Sequence, residues 1–128
     1  MNILAIDTCT EVASVTLYAS GVRTSRVLTN VEKSSGHILK LCDEVFDESG
    51  RQLKEINLIA YSKGPGAFTG VRMCIGVVQG LSLSCSIPTI GFSTLELLGF
   101  RASKILKVEK IAIALDARMG EVYWAVYE

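Results

Sequence analysis

The chain has 128 residues and a mass of 13.8 kDa, the size of one ordinary domain. Thirteen basic residues balance thirteen acidic ones, the pI is about 6.6, and 49% of residues are hydrophobic against 20% charged. These figures exclude intrinsic disorder, which needs low hydrophobicity and high net charge, and a nucleic-acid binder acting through bulk electrostatics, which needs excess Lys and Arg.

The apolar run inside Asn2–Asp7 predicts a buried strand, and the alternating, Val- and Thr-rich segment Glu11–Ala19 predicts a second. Ser20-Gly21 is a tight turn, after which Val22–Thr29 alternates with enough polarity for an edge strand. The opening is therefore an antiparallel three-strand meander. Ser34 or Ser35 is placed to cap a helix running to about Glu48 and closed by Gly50. At roughly 100° per residue, Ile38, Leu39, Leu41, Cys42, Val45 and Phe46 form its apolar stripe, opposite Lys40, Asp43, Glu44 and Asp47. Ile56–Ser62 reads as a buried strand, and the loop KGPGAFTG leads into a helix over about Thr69–Cys85.

This second helix is apolar or small on most sides. Val71, Cys74, Ile75, Val78, Leu81 and Cys85 share one face; Met73, Gly76, Gly80 and Ser84 share another. Two glycines inside a helix cost about 1 kcal/mol each relative to Ala, so close approach of another helix is expected to offset them. That helix is either a partner's or the first helix of the same chain. Pro88–Gly91 predicts a short strand, Ser93 caps a third helix to about Ala102, and Lys110–Asp116 and Glu121–Tyr127 form a hairpin around Arg118–Gly120. The charged segment Lys104–Lys110 marks a boundary between residues 1–103 and 104–128. The order βββ-α-β-α-β-α plus hairpin predicts an α/β fold with a mixed five-stranded sheet covered on both faces. That is the ribonuclease H-like lobe of actin-like and sugar-kinase-like proteins, followed by the first hairpin of a second, similar lobe.

The cysteines, Cys9, Cys42, Cys74 and Cys85, include no CxxC pair, so no zinc or redox motif is expected. The opening MNILAID has neither a basic n-region nor a long apolar h-region, so it does not read as a signal peptide. Both features fit a reducing cytoplasm. Met73–Leu95 carries no charge, but Gln79, Pro88 and several Ser and Gly oppose a membrane span.

Three segments are candidates for chemistry. Asp7, Thr8 and Thr10 follow the first strand, where a carboxylate can hold a hydrated cation and backbone amides can meet phosphate. Thr8 occupies a position where glycine would allow closer approach; the alternative is a strand-end turn satisfied by Asp7 and Thr10. In the second, Gly64, Gly66, Thr69 and Gly70 belong to a strand-to-helix loop that either presents helix amides to an anion or serves only to aim Phe68 and set the helix angle. It lacks the Lys of a Walker loop. In the third, Asp116, Arg118 and Glu121 surround the hairpin turn, with functional and turn-stabilising roles both open. His37 is the single histidine, too few for a histidine-based metal site, and it is expected to be solvated or at an interface. No GxSxG nucleophile elbow is present.

Taken together, ILAIDTCT, KGPGAFTGVRMCIGVVQGLS, IPTIGFSTLELL and DARMGEVYWAVY resemble the TsaB (YeaZ) family, along nearly the whole chain and in the right order. The resemblance implies an actin-like fold of two lobes, a glycoprotease-like label, and an accessory role beside the related catalytic subunit TsaD in threonylcarbamoyladenosine synthesis on tRNA. It implies TsaD and the ATPase TsaE as partners, with pairing through N-terminal lobe helices to TsaD or to a second copy. His37, Met73, Gly76, Gly80 and Ser84 would then form the partner interface. The paired metal-binding histidines of the catalytic relative are not matched here, so no catalytic residue is assigned and the chemical step is left to TsaD. No tightly bound cofactor is expected; ATP and magnesium belong to the level of the complex, and tRNA is reached only through it. Family members run well beyond this length, and Cys9 and Ala67 stand where Ser is common. Two other functions fit the residues. A sugar-kinase-like or actin-like ATPase lobe would use Asp7 and the Gly64–Gly70 loop, and a structural module would form only homodimers.

Overall fold

The computed structural model describes residues 1–29 and 37–128. Strands β1 (Ile3–Asp7), β2 (Ala13–Ala19) and β3 (Val22–Leu28) form the expected meander, with β3 at the edge. Ser20 and Gly21 both take positive φ, 52° and 77°, the left-handed pair that suits a two-residue hairpin. Helix α1 (Ile38–Ser49) leads through a 3₁₀ turn (Leu53–Glu55) to β4 (Leu58–Ser62), and α2 (Phe68–Cys85) leads to β5 (Thr89–Phe92). The sheet order is β3-β2-β1-β4-β5, antiparallel across the meander and parallel from β1 through β4 to β5. Helix α3 (Thr94–Leu106) then reaches a separate two-stranded sheet of β6 (Ile111–Arg118) and β7 (Glu121–Tyr127).

One sheet face carries the core. Leu4 is in register with Leu17 and Ile59, and Ile6 with Val15, so these side chains share a face by strand periodicity. Ile38, Leu41, Cys42 and Val45 of α1 and Cys74 and Val78 of α2 bury against them in one cluster. The expectation of two covered faces is not met among the described residues: Ser14 and Thr16 point away from the core and stay half-buried, and Tyr18 is exposed. The reason is chemical. Thr16 and Ser25 pair across β2 and β3 with a 2.9 Å hydroxyl–hydroxyl bond, so this part of the outer face carries little apolar surface to bury.

Helix ends differ from expectation in detail. Ser34 and Ser35 lie outside the described residues, and α1 begins after His37, whose side chain makes no capping bond. Leu39, assigned to the stripe, is 55% exposed, because it lies about 100° around the helix from Ile38. Gly50 closes α1 at φ 69° as expected. The Gln52–Glu55 capping box, which holds the 3₁₀ turn, was not anticipated and delays β4 to Leu58. Helix α3 continues past Ala102 to Leu106, and Lys107 ends it at φ 55°. Nothing between Ser103 and Leu106 breaks a helix, and Lys104 suits its C-terminal end. Gly99 lets α3 lie directly on the hairpin: a Cβ there would meet the Tyr127 ring at 2.9 Å and Ile113 at 3.4 Å.

The charge-free stretch Met73–Leu95 is not one span. Ser86 turns left-handed at φ 53°, and the stretch divides into the end of α2, β5 and the start of α3. Phe68–Cys85 alone is long and apolar enough to cross a membrane by length and composition, but it lies along the sheet and buries Gly70, Cys74 and Val78.

Candidate functional site

The parallel strands β1, β4 and β5 end on one side of the sheet, where α2 and α3 begin. In open α/β sheets this is where ligands are held. The Asp7 carboxylate accepts the Cys9 N–H at 3.0 Å, and the Thr10 hydroxyl bonds both the N–H and the carbonyl of Val12 at 3.4 Å. Thr8 is fully buried, and its hydroxyl donates to the Gly70 carbonyl at 2.5 Å. These contacts build a strand-end turn and tie it to α2.

The Gly64–Gly70 loop folds down on that turn. Its backbone reverses at Gly64, φ 99°, before a cis Gly64–Pro65 bond. The Ala67 N–H donates to the Cys9 carbonyl at 3.0 Å, and the Thr94 N–H donates to the Gly64 carbonyl at 2.9 Å. A Cβ on Gly66 would collide with the Cys9 carbonyl, and a Cβ on Gly70 with the Thr8 carbonyl. Both glycines therefore serve a backbone-to-backbone approach. Thr69 is exposed on the first turn of α2. Loop and strand-end turn lie together, but their contacts are with each other.

The second face of α2 divides. Met73 packs partly against the core, whereas Gly76, Gly80 and Ser84 are exposed. Nothing lies within 4 Å of a Cβ built on Gly76 or Gly80, so among the described residues α1 does not fill this face. Two exposed large side chains lie near the ends of the same helix: Phe68, stacked under the Arg72 guanidinium at 3.9 Å, in its first turn, and Leu83, 83% exposed, in its last. His37 is exposed at the start of α1 and is not part of the strand-end cluster.

At the hairpin tip the Asp116 carboxylate accepts the Arg118 N–H at 2.8 Å across a bulge, and Arg118 pairs with Glu121. Arg118, Met119 and Gly120 all take positive φ, and Met119 is fully exposed. These contacts stabilise the turn. Among the described residues, no group of three or more His, Cys, Asp or Glu could hold a metal ion.

The sequence reading missed a buried polar cluster under the site. Cys9, Ser62, Cys74 and Thr94 are each at most 2% exposed. The Ser62 and Thr94 hydroxyls bond at 3.0 Å, and the Cys9 thiol donates to the Ser62 carbonyl at 3.3 Å. The neighbouring Cys9 thiol, with burial adding to the rise, pushes the Cys74 thiol well above the ordinary cysteine range, and Cys74 in turn lowers Cys9. Burial, with Asp43 nearby, pushes the Cys42 thiol up to about 12. No CxxC spacing marks this cluster, whose members are spread over the turn after β1, β4, α2 and α3. The signal available was that Cys9, Ser62 and Thr94 each stand at the end of a strand or start of a helix on the same side of the sheet.

Comparison with known proteins follows the same lines. The sequence model of the family described as "TsaD: tRNA N6-adenosine threonylcarbamoyltransferase" matches residues 26–128. The tRNA threonylcarbamoyladenosine biosynthesis protein TsaB of Escherichia coli is 43% identical over the whole chain, which spans 55% of that protein. The structure of YeaZ from Pseudomonas aeruginosa superposes with a TM-score of 0.93 at 41% identity, covering 99% of this chain and 60% of that one. RuvC of T. thermophilus, at a TM-score of 0.51 and 12% identity over 85% of this chain and 80% of that one, supports the ribonuclease H-like fold alone. The chain thus spans little more than half the length of these TsaB and YeaZ relatives. On the strength of these matches and the shared fold, the chain belongs to the TsaB (YeaZ) family.

Proposed function

We propose that this chain acts in the synthesis of threonylcarbamoyladenosine on tRNA as a non-catalytic subunit that binds and supports TsaD. The observation that carries this reading is the open notch on α2. Two interior glycines cost an isolated helix about 2 kcal/mol relative to alanine, and nothing in the described part of the chain uses the space they leave. A partner helix approaching over Gly76 and Gly80 would use it. Ser84 and Met73 would lie at its rim, and His37 at the start of α1 joins this interface in the family pattern. TsaE is a further partner of the complex, which assembles in the cytoplasm.

Transfer chemistry belongs to TsaD. ATP and magnesium belong to the complex, because the glycines that would admit a phosphate here are taken up by the Thr8 and Cys9 carbonyls. The zero net charge supports contact with tRNA through the complex and not through this subunit. The hairpin β6–β7 is read as the opening of a second lobe, since the relatives continue well past this length.

The test is co-purification with TsaD and an assay of threonylcarbamoyl transfer with and without this chain. Gly76→Leu or Gly80→Leu should abolish co-purification while the far-ultraviolet circular dichroism stays unchanged. An intact complex with either variant would overturn the interface. A complex of this chain only with itself would favour the homodimeric module, and tight magnesium–ATP binding lost on Asp7→Ala would favour the ATPase lobe.

A further inference from the structure

The β6–β7 hairpin has two unlike faces. Ile113 and Tyr127 lie against α3 at Gly99, so the alternate residues Ile111, Ile113, Leu115, Tyr123, Ala125 and Tyr127 face that helix. The residues between them point away from α3, and all are exposed. Val122 at 57%, Trp124 at 67% and Val126 at 47% exposure form one apolar row along β7. A two-stranded sheet is marginal in water, and a bare apolar row of this kind marks an interaction site. The proposed function rests on α2 and leaves this face unused.

The register shows what fits the face. On it Ala112 stands opposite Val126, Ala114 opposite Trp124 and Asp116 opposite Val122. Strand β6 therefore carries small residues beside the large row of β7. At the open end of the hairpin Lys110 and Glu128 continue the alternation and bridge at 3.3 Å, with side chains 69% and 78% exposed. The rungs thus set large against small and cation against anion. A two-fold axis parallel to the strands would lay β6 of one copy over β7 of another. Each residue then faces the copy of its own cross-strand neighbour. Trp124 fills the space over Ala114 of the second copy, Val126 that over Ala112, and Lys110 meets Glu128. An axis across the strands would instead stack like on like. Asp116 over Val122 is the one unmatched rung; it stands beside the turn, where its carboxylate already accepts the Arg118 N–H at 2.8 Å.

We propose that this outward face binds a second copy of the chain, face to face, with β6 over β7. The strands of the two copies then run within the roughly 30° that sheet twist imposes. Four rungs from each copy fall well short of the roughly 20–30 residues a side of a standard interface, so the dimer is a weak one.

The experiment is sedimentation equilibrium of the full chain from about 1 µM to about 300 µM, the range in which a weak dimer forms. It is joined to the fluorescence of Trp124, the single tryptophan. The expected result is a monomer at the low end and a dimer at the high end. Trp124 emission should move to shorter wavelength in step with the dimer fraction. Trp124→Glu should stay monomeric with its circular dichroism unchanged; if that variant does not fold, Val126→Lys is the second form of the test. Ala114→Trp adds apolar surface but fills the space Trp124 needs, so it should weaken association by about tenfold. A monomer throughout, with Trp124 emission fixed, would overturn the proposal and leave the face to another segment or protein. So would a dimer that survives Trp124→Glu or is strengthened by Ala114→Trp. Gly76→Leu should leave this dimer intact, and a dimer lost in that variant would move the self-contact to α2. Trp124→Glu should leave capture of TsaD unchanged, so the two interfaces fail separately.

Discussion

The glycines of α2 should respond to alanine with opposite signs, although three of them lie within eleven residues of one helix. At Gly70 a Cβ would overlap the Thr8 carbonyl, a backbone atom that cannot swing aside. Overpacking of that kind costs about 1–3 kcal/mol and more where backbone must move. Alanine's better helix propensity returns about 1 kcal/mol. The Thr8 hydroxyl bond to the Gly70 carbonyl is lost if the helix shifts outward, at about 1 kcal/mol. Gly70→Ala is therefore expected to destabilise by about 2 kcal/mol. At Gly76 and Gly80 the added methyl meets open space, so only propensity acts, and the double alanine variant should gain about 2 kcal/mol. With an unfolding entropy of about 2.1 cal/mol/K per residue, each kcal/mol moves the Tm of this chain by about 4 °C. Urea unfolding followed by circular dichroism would read the differences. The packing account is refuted if Gly70→Ala lies within 0.5 kcal/mol of the parent, or if alanine at Gly76 destabilises. The stabilised double variant should also capture TsaD less well, because methyl groups then stand where the partner helix must approach. Gain of stability with loss of binding separates an interface glycine from a folding one.

Three further outcomes follow from the same structure. Between about pH 9 and pH 12 the unfolded chain loses the Cys42 proton while the folded chain keeps it, so stability is full below pH 9 and falls as pH rises. Cys42 alone should account for about 1 kcal/mol of loss by pH 10, and Cys42→Ala, measured in reductant, should flatten the alkaline limb by that amount. Met119→Asn should raise stability by about 1 kcal/mol in chemical denaturation, since the turn holds residue 119 at φ 56°, where asparagine is tolerated and methionine is strained. Arg26 bridges Glu44 at 3.4 Å and Glu48 at 3.2 Å, but all three side chains are a third or more exposed, so Arg26→Ala should cost no more than about 1 kcal/mol and less in high salt.

Much of this fold was legible because the signals that specify it are local. The period-two alternation of Ala13–Ala19 survives as a strict buried-and-open pattern, and Ser20-Gly21 and Gly50 adopt the left-handed conformations their composition announces. What the sequence could not carry was distance between segments far apart in the chain. Thr8 and Gly70 are bonded across 62 positions, and Cys9 and Ser62 across 53. A pattern of glycines and hydroxyls after a strand is compatible with a phosphate cradle and with a backbone crossing, because both need the same absence of Cβ. Only the placement of the Thr8 and Cys9 carbonyls separates them. The glycines of α2 carry the converse lesson. Their periodicity exposed an unfilled face but not its filler, since the first helix of the same chain and a helix from outside leave the same mark on the sequence. With α1 packed on β2 and β3 and nothing described near Gly76 and Gly80, the space those glycines leave stays open to a helix from outside.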